Sequence, residues 1–234
     1  METIQIEAGS FRDPAGKIFY KDNKVFRVLQ NEGIKRFKFI KSSGLLNDLI
    51  QKKFLIECKE MNDGEIDFEN FKENKIIEHK KLDYISYPYE WSFEQLKDAA
   101  IHHLDFHIYL LKKGATLIDS SAFNIQFDTH RPIFIDLLSI KEYEDGEYWK
   151  AHRQFCENFL NPLILKSKKD IDYNNWFKGN LEGITTKDLN SILSFKDKLS
   201  YNIFTQVVML DYFDKKAIKS KNFDINRINK KKFP

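Results

Sequence analysis

Apolar residues recur at two different periods along the chain, and the change falls near Trp91. Upstream, Lys17-Ile18-Phe19-Tyr20 and Val25-Phe26-Arg27-Val28-Leu29 flank Asp22-Asn23, a turn pair, and the pattern predicts a β-hairpin. The turn-rich stretch Gly9 to Gly16 (GSFRDPAG) leads into it. Ile34 to Lys41 (IKRFKFIK) alternates in part, whereas Leu45, Leu46, Leu49 and Ile50 have the spacing of a short helix. Asn62 to Lys75 is polar and acidic and predicts a loop. Leu82 to Trp91 (LDYISYPYEW) reads as a strand that leaves through a proline-stiffened connector.

Downstream the period is helical. Ser92 and Gln95 form an S-x-x-Q capping box, followed by an apolar stripe at Phe93, Leu96, Ala100, Leu104, Ile108 and Leu111, and Gly114 stops the helix. Further helices are predicted from Lys150 to Leu160, ahead of Asn161-Pro162, from Thr186, and from Lys198 to Ile218 with Ile203, Val207 and Leu210 in one stripe. Lys219 to Pro234 is expected to be a frayed basic tail. The order gives an α+β protein with a β-rich lobe at 1–86 and a mainly helical lobe at 87–234.

Composition narrows the function classes. The 234 residues are 42% hydrophobic and 31% charged, with 21 Phe and 10 Tyr, enough for an aromatic-rich core without disulfides or metal. A formal net charge of +3, dispersed along the chain, disfavours nucleic acid as the partner. Cys58 and Cys156 have no CxxC spacing and read as free thiols in a reducing compartment. No apolar stretch approaches the roughly 18 residues of a membrane span and no signal peptide precedes the first turn, so a cytoplasmic protein is expected. Neither GxGxxG nor GxxxxGK[ST] occurs, which argues against a Rossmann dinucleotide site, a Walker P-loop and a complete methyltransferase domain.

The chemistry concentrates in Thr116 to Ser139 (TLIDSSAFNIQFDTHRPIFIDLLS). Ile125-Gln126-Phe127 and Ile133-Phe134-Ile135 pair as a hairpin across Asp128 to Pro132, which returns Asp136 to the neighbourhood of Asn124. A carboxylate and an amide oxygen on adjacent strand ends suit magnesium, a hard cation that keeps substrate phosphates in its shell. Asp119, on the loop before Asn124, is placed to orient a hydroxyl and take its proton.

This D-x4-N spacing, with a hairpin and a strand-terminal aspartate, resembles the catalytic-loop arrangement of the protein kinase-like fold. SYPYEWSFEQLKDAA from Ser86, DSSAFNIQF, PIFIDLLS, HRQFCENFLNPL from His152 and the opening GSFRDPAGKIFYKDNKVFRVL resemble the kinase-like N-terminal region of a bacterial family labelled nodulation-type or SAM-dependent methyltransferases. The similarity runs over most of residues 8 to 213 and lacks the family's methyltransferase half. It implies Asp119 as catalytic base, Asn124 and Asp136 as Mg²⁺ ligands, and ATP as phosphate donor. It also implies Arg27 in place of the lysine that holds the α/β-phosphates, with Gly9 in the turn that covers them. The acidic partner of Arg27 is open between Asp48 and Glu57.

The departures matter as much. Residues 117 to 119 read LID rather than HRD, Asp136-Leu137-Leu138 stands for DFG, and the turn at Gly9 lacks two of the usual three glycines. These fit either a phosphotransferase acting on a small molecule, sugar or glycan, or a non-catalytic kinase-like module that binds nucleotide or a partner such as a separate methyltransferase. His103 and His107, four apart without a third ligand, are expected to pack in the helix interface. Tyr87, Tyr89 and Trp91 are read as packing and Glu142 to Glu147 as a solvated acidic loop.

Overall fold

The computed structural model describes residues 5–7, 15–62 and 75–217. The chain divides into two compact units, residues 1–87 with 98–151, and residues 88–97 with 152–234. The sequence-based boundary at residue 86 places the hairpin of residues 125–134 with the helices; by packing, the hairpin belongs to the unit that holds the N-terminal sheet.

The first unit is built on an antiparallel sheet in the order β1-β2-β3-β5-β4. Its strands are β1 (Gln5–Ile6), β2 (Gly16–Lys21), β3 (Lys24–Leu29), β4 (Cys58–Glu60) and β5 (Ile76–His79). The expected hairpin is β2–β3, with Tyr20 opposite Val25. Asp22 and Asn23 both adopt positive φ, 50° and 61°, the conformation a tight turn of matching twist demands. Phe19, Phe26, Val28 and Ile76 form a core cluster on this sheet.

Two helices follow β3: α1 (Asn31–Ser42) and α2 (Leu45–Gln51). The second is the helix expected there. The first replaces the partial alternation read at Ile34 to Lys41: Gly33, Phe37 and Ile40 are buried, a helical i, i+4, i+7 set, and the intervening lysines and arginine face outward or lie at the edge. Gly33 is required by close approach, because a Cβ there would lie 2.0 Å from the Ala15 carbonyl oxygen.

Leu82 to Tyr87 forms no strand, and a 3₁₀ turn at Pro88–Glu90 follows it. Its last part is held instead by a side chain: the Ser86 N–H donates to Gln126 Oε1 at 3.0 Å and Gln126 Nε2 donates back to the Ser86 carbonyl at 3.0 Å. Then comes α3 (Phe93–Leu111), whose start carries the expected box, Ser92 N–H to Gln95 Oε1 at 2.9 Å and Gln95 N–H to Ser92 Oγ at 3.3 Å. Gly114 follows in the left-handed region at φ 71°. The remaining strands of this unit are β6 (Ala115–Leu117), β7 (Ile125–Asp128), β8 (Arg131–Phe134) and β9 (Ile140–Glu142), paired β6–β9 and β7–β8.

The second unit is helical: α4 (His152–Phe155), α5 (Asn161–Lys169), α6 (Asn174–Gly179), α7 (Thr186–Ile192), α8 (Phe195–Lys198) and α9 (Tyr201–Ile203). The helix expected to stop before Asn161-Pro162 continues through it, because a π-helical turn at Cys156–Leu160 joins α4 to α5. The wider turn carries the strain that proline imposes through its missing N–H and its clash with the carbonyl four residues back. Asn62 itself is described; the rest of the acidic stretch to Asn74, Gly9, and the basic tail lie outside the described residues.

Candidate functional site

Two loops meet in the first unit, residues 118–124 between β6 and β7 and residues 135–139 between β8 and β9. Their registers fix them. Leu117 pairs with Ile140 at one end and Ile125 with Phe134 at the other. Backbone bonds then close both ends: Ile118 N–H donates to the Ser139 carbonyl at 2.9 Å, and Ile135 N–H to the Asn124 carbonyl at 2.9 Å. Asp119 and Asn124 therefore sit on one loop and Asp136 on the loop directly facing it.

Each side chain has a defined setting. Asp119 Oδ1 accepts the Ser121 N–H at 2.7 Å, which turns the chain toward the short 3₁₀ segment Ala122–Asn124. Ser120, next to it, is buried, and its hydroxyl bonds the His103 ring at 2.9 Å. The Asn124 side chain has a buried Nδ2 with no hydrogen-bond partner among the described residues. Because Nδ2 and Oδ1 exchange by rotation of the amide, this orphaned position fits a metal that takes the amide oxygen.

Asp136 is tied on both oxygens. Arg27 Nη1 donates to Oδ1 at 2.5 Å, Leu138 N–H donates to the same oxygen at 3.3 Å, and the Ser139 hydroxyl donates to Oδ2. Burial works to raise the Asp136 carboxyl, but the Arg27 charge and these hydrogen bonds carry it below the usual carboxylate value. The two facing loops thus carry an ionised carboxylate on one and an amide on the other, the oxygen-donor types that Mg²⁺ takes.

Arg27 lies on β3 between Ile18 and Ile77, and is 6% exposed. Its acidic partner is Asp136, not one of the two carboxylates considered from sequence. Asp48, on α2, accepts from the Tyr109 hydroxyl and lies 3.9 Å from Lys113. Glu57 is exposed, and its carbonyl accepts the Lys80 N–H at 2.8 Å. Of the residues singled out from sequence, Arg27 contacts Asp136, Asn124 lies on the facing loop and its carbonyl bonds Ile135, and Asp119 lies on that same loop; Asp48 bonds Tyr109 instead, and Gly9 lies outside the described residues.

Arg27 also lines a cavity of about 160 Å³ with Ile18, Val25, His79, Leu82 and Ile135. Beside it, the backbone of Leu82 to Ile85 makes no hydrogen bond to another described residue. An apolar slot flanked by unused amides and carbonyls suits a flat heteroaromatic ring with polar edges. His79 was missed from sequence. Burial and the neighbouring Arg27 charge push its imidazole down to about 4, with Asp136 partly opposing, so it lines the cavity as a neutral ring at neutral pH. Only its place at the end of a strand leading into the connector marked it. Arg36, also missed, donates from α1 to the Leu138 carbonyl at 3.0 Å and holds the segment after Asp136 in place.

His103 and His107 pack as expected, bonded to Ser120 and Thr116 and lying beside Trp149. Among the described residues no group of three or more His, Cys, Asp or Glu could hold a metal ion, which leaves an Asn-containing pair as the candidate. No helix among the described residues is long and apolar enough to cross a membrane.

No protein-family model matches the chain. The solved structure of vaccinia related kinase 3 aligns at a TM-score of 0.42 with 11% identity, covering 81% of this chain and 71% of that one. Nodulation protein NoeA of Rhizobium meliloti (strain 1021) is 37% identical over 202 residues, 86% of this chain, and the chain spans 42% of that protein's length.

Proposed function

We propose that the chain is a kinase-like phosphotransferase that moves the γ-phosphate of ATP to a hydroxyl of a small molecule, sugar or glycan. The observation that supports this reading is the pair of facing loops, clamped at both ends, with Asp119 and Asn124 on one and Asp136, bonded to Arg27, on the other. Asn124 and Asp136 would hold Mg²⁺, which when bound neutralises phosphate charge. Arg27 offers a planar fork to phosphate oxygens once it leaves Asp136. Asp119 accepts the acceptor's proton as its oxygen bonds to phosphorus, the bond from phosphorus to the β,γ-bridging oxygen breaks, and ADP leaves. The apolar slot under β2 and β3 receives the base.

A second reading has its own observation. Both Asp136 oxygens are already matched by Arg27, Ser139 and Leu138, an arrangement complete without metal. It supports a non-catalytic kinase-like module that binds nucleotide or a partner protein, such as a SAM-dependent methyltransferase. Thermal unfolding with ATP, with and without Mg²⁺, separates the two. A phosphotransferase requires a Mg²⁺-dependent rise in melting temperature that Asp136→Ala abolishes, because a ligand stabilises only the state that binds it. A shift by ATP indifferent to Mg²⁺ and to Asp136, or no shift, favours the module.

A further inference from the structure

The far end of the β7–β8 hairpin carries a second feature. Asp128 and Arg131 close the hairpin at its turn, about 10 Å along the strands from the Ile125–Phe134 pair that adjoins Asn124. There, a cavity of about 570 Å³ opens between the turn, the loop after α2 and the side of α3. Lys52, Lys53, His102, His130 and Arg131 line it, with Asp128 as the single acidic lining residue.

The charges in this cavity are unbalanced. The Asp128 carboxylate is matched by Lys80 at 2.8 Å. Lys52 lies over the Tyr109 ring, 5.5 Å from its centroid. Lys53 and Arg131 form no ion pair with another described residue. Lysines after a helix end ordinarily offset its dipole and point into solvent. Here they share a concave site with an arginine from another element and two histidines, and Lys53 takes the left-handed φ of 58° in the tight loop that follows α2. The volume falls within the range of about 300 to 1,000 Å³ usual for small-molecule sites. An arginine fork with neighbouring ammonium groups matches tetrahedral oxyanions.

We infer that this groove is an anion site, separate from the one at Asp136, for a small molecule bearing phosphate or sulfate groups. Calorimetry of the full chain with inorganic pyrophosphate in the absence of Mg²⁺ tests it, alongside imidazole NMR signals of His130 and His102. The expected result is submillimolar binding that moves both ring signals and weakens at least about tenfold in Lys53→Asn/Arg131→Gln. Both positions are exposed, and asparagine tolerates the left-handed backbone at 53, so the variant is expected to fold. Undiminished binding in the variant, binding that leaves the two histidines unmoved, or no binding at all overturns the assignment. So does capture by the groove of an acidic peptide in preference to pyrophosphate, which would make it a protein-docking surface.

Discussion

Arg27 and Asp136 stand 109 positions apart in sequence, and their contact joins the sheet to the site. Taking both charges out of water costs several kcal/mol, offset by their attraction and by the Ser139 and Leu138 bonds. Arg27→Met removes the attraction and leaves the carboxylate behind, so it is expected to cost about 3–5 kcal/mol at pH 7. Arg27→Met/Asp136→Asn is expected to cost less than the sum of the two single variants. The pH dependence follows from the direction of the Asp136 shift. A carboxylate held below its unfolded value contributes stability above that value and loses it as pH falls, so the gap between wild type and Arg27→Met narrows below about pH 4. Urea melts of all three variants at pH 7 and in acid check both statements. The placing of Asp119 and Asn124 on one loop and Asp136 on the loop facing it was legible because their spacing and the hairpin between them are local. The partner of Arg27 was not, since it depends on where a distant strand end is placed across the sheet.

At the scale of elements, α3 shows what periodicity conveys and where it stops. The stripe read from sequence steps mostly by four, and each such step advances about 40° past a full turn. It therefore rotates out of the core, and Leu104, Ile108 and Leu111 are 37%, 49% and 41% exposed while Leu96 and Ala100 are buried. The buried face is Leu96, Ala99, His103, Phe106 and Leu110, alternating three and four, with a polar residue in its middle that hydrophobic patterning passes over. α1 was hidden for the opposite reason: its lysine-rich sequence has few apolar positions, and Phe37, Lys38, Phe39 imitate a strand. The histidines on α3 carry a prediction. Burial pushes His103 down to about 3, with the neighbouring His107 and His102 adding to it, and pushes His107 down to about 4. Both are neutral in the fold and bind protons on unfolding below about pH 6.5. Stability should then be full above that pH and fall steadily between about pH 6.5 and 4. His107→Gln, able to keep a bond to Thr116, is expected to flatten the slope in thermal melts across that window.

At the scale of the whole chain, neither compact unit is continuous in sequence, because residues 88–97 leave the first to complete the second. Trp91 is the centre of that short segment. It is 1% exposed, and its carbonyl accepts both the Tyr173 hydroxyl and Asn174 Nδ2 at 3.1 Å, while Asn174 also reaches the Tyr89 carbonyl at 2.9 Å. The fold class was legible because the change from short β runs to helical periods lies at this junction. The interleaving was not, since no local signal distinguishes a segment that joins the elements before it from one that joins a tyrosine 82 residues later. The consequence concerns any attempt to isolate the site. A chain ended at Ala151 keeps every residue of the two facing loops but removes Tyr173 and Asn174. The Trp91 carbonyl then loses the Tyr173 and Asn174 bonds and residues 88–97 lose the rest of the unit they complete, a loss comparable to a large core deletion of about 3–5 kcal/mol. Such a chain is expected to aggregate or to show red-shifted tryptophan emission and a lowered melting temperature. Tyr173→Phe in the full chain, which removes one hydroxyl and no volume, should cost only about 1 kcal/mol. A truncated chain that melts like the full protein would mean that residues 88–97 need no partner beyond Ala151.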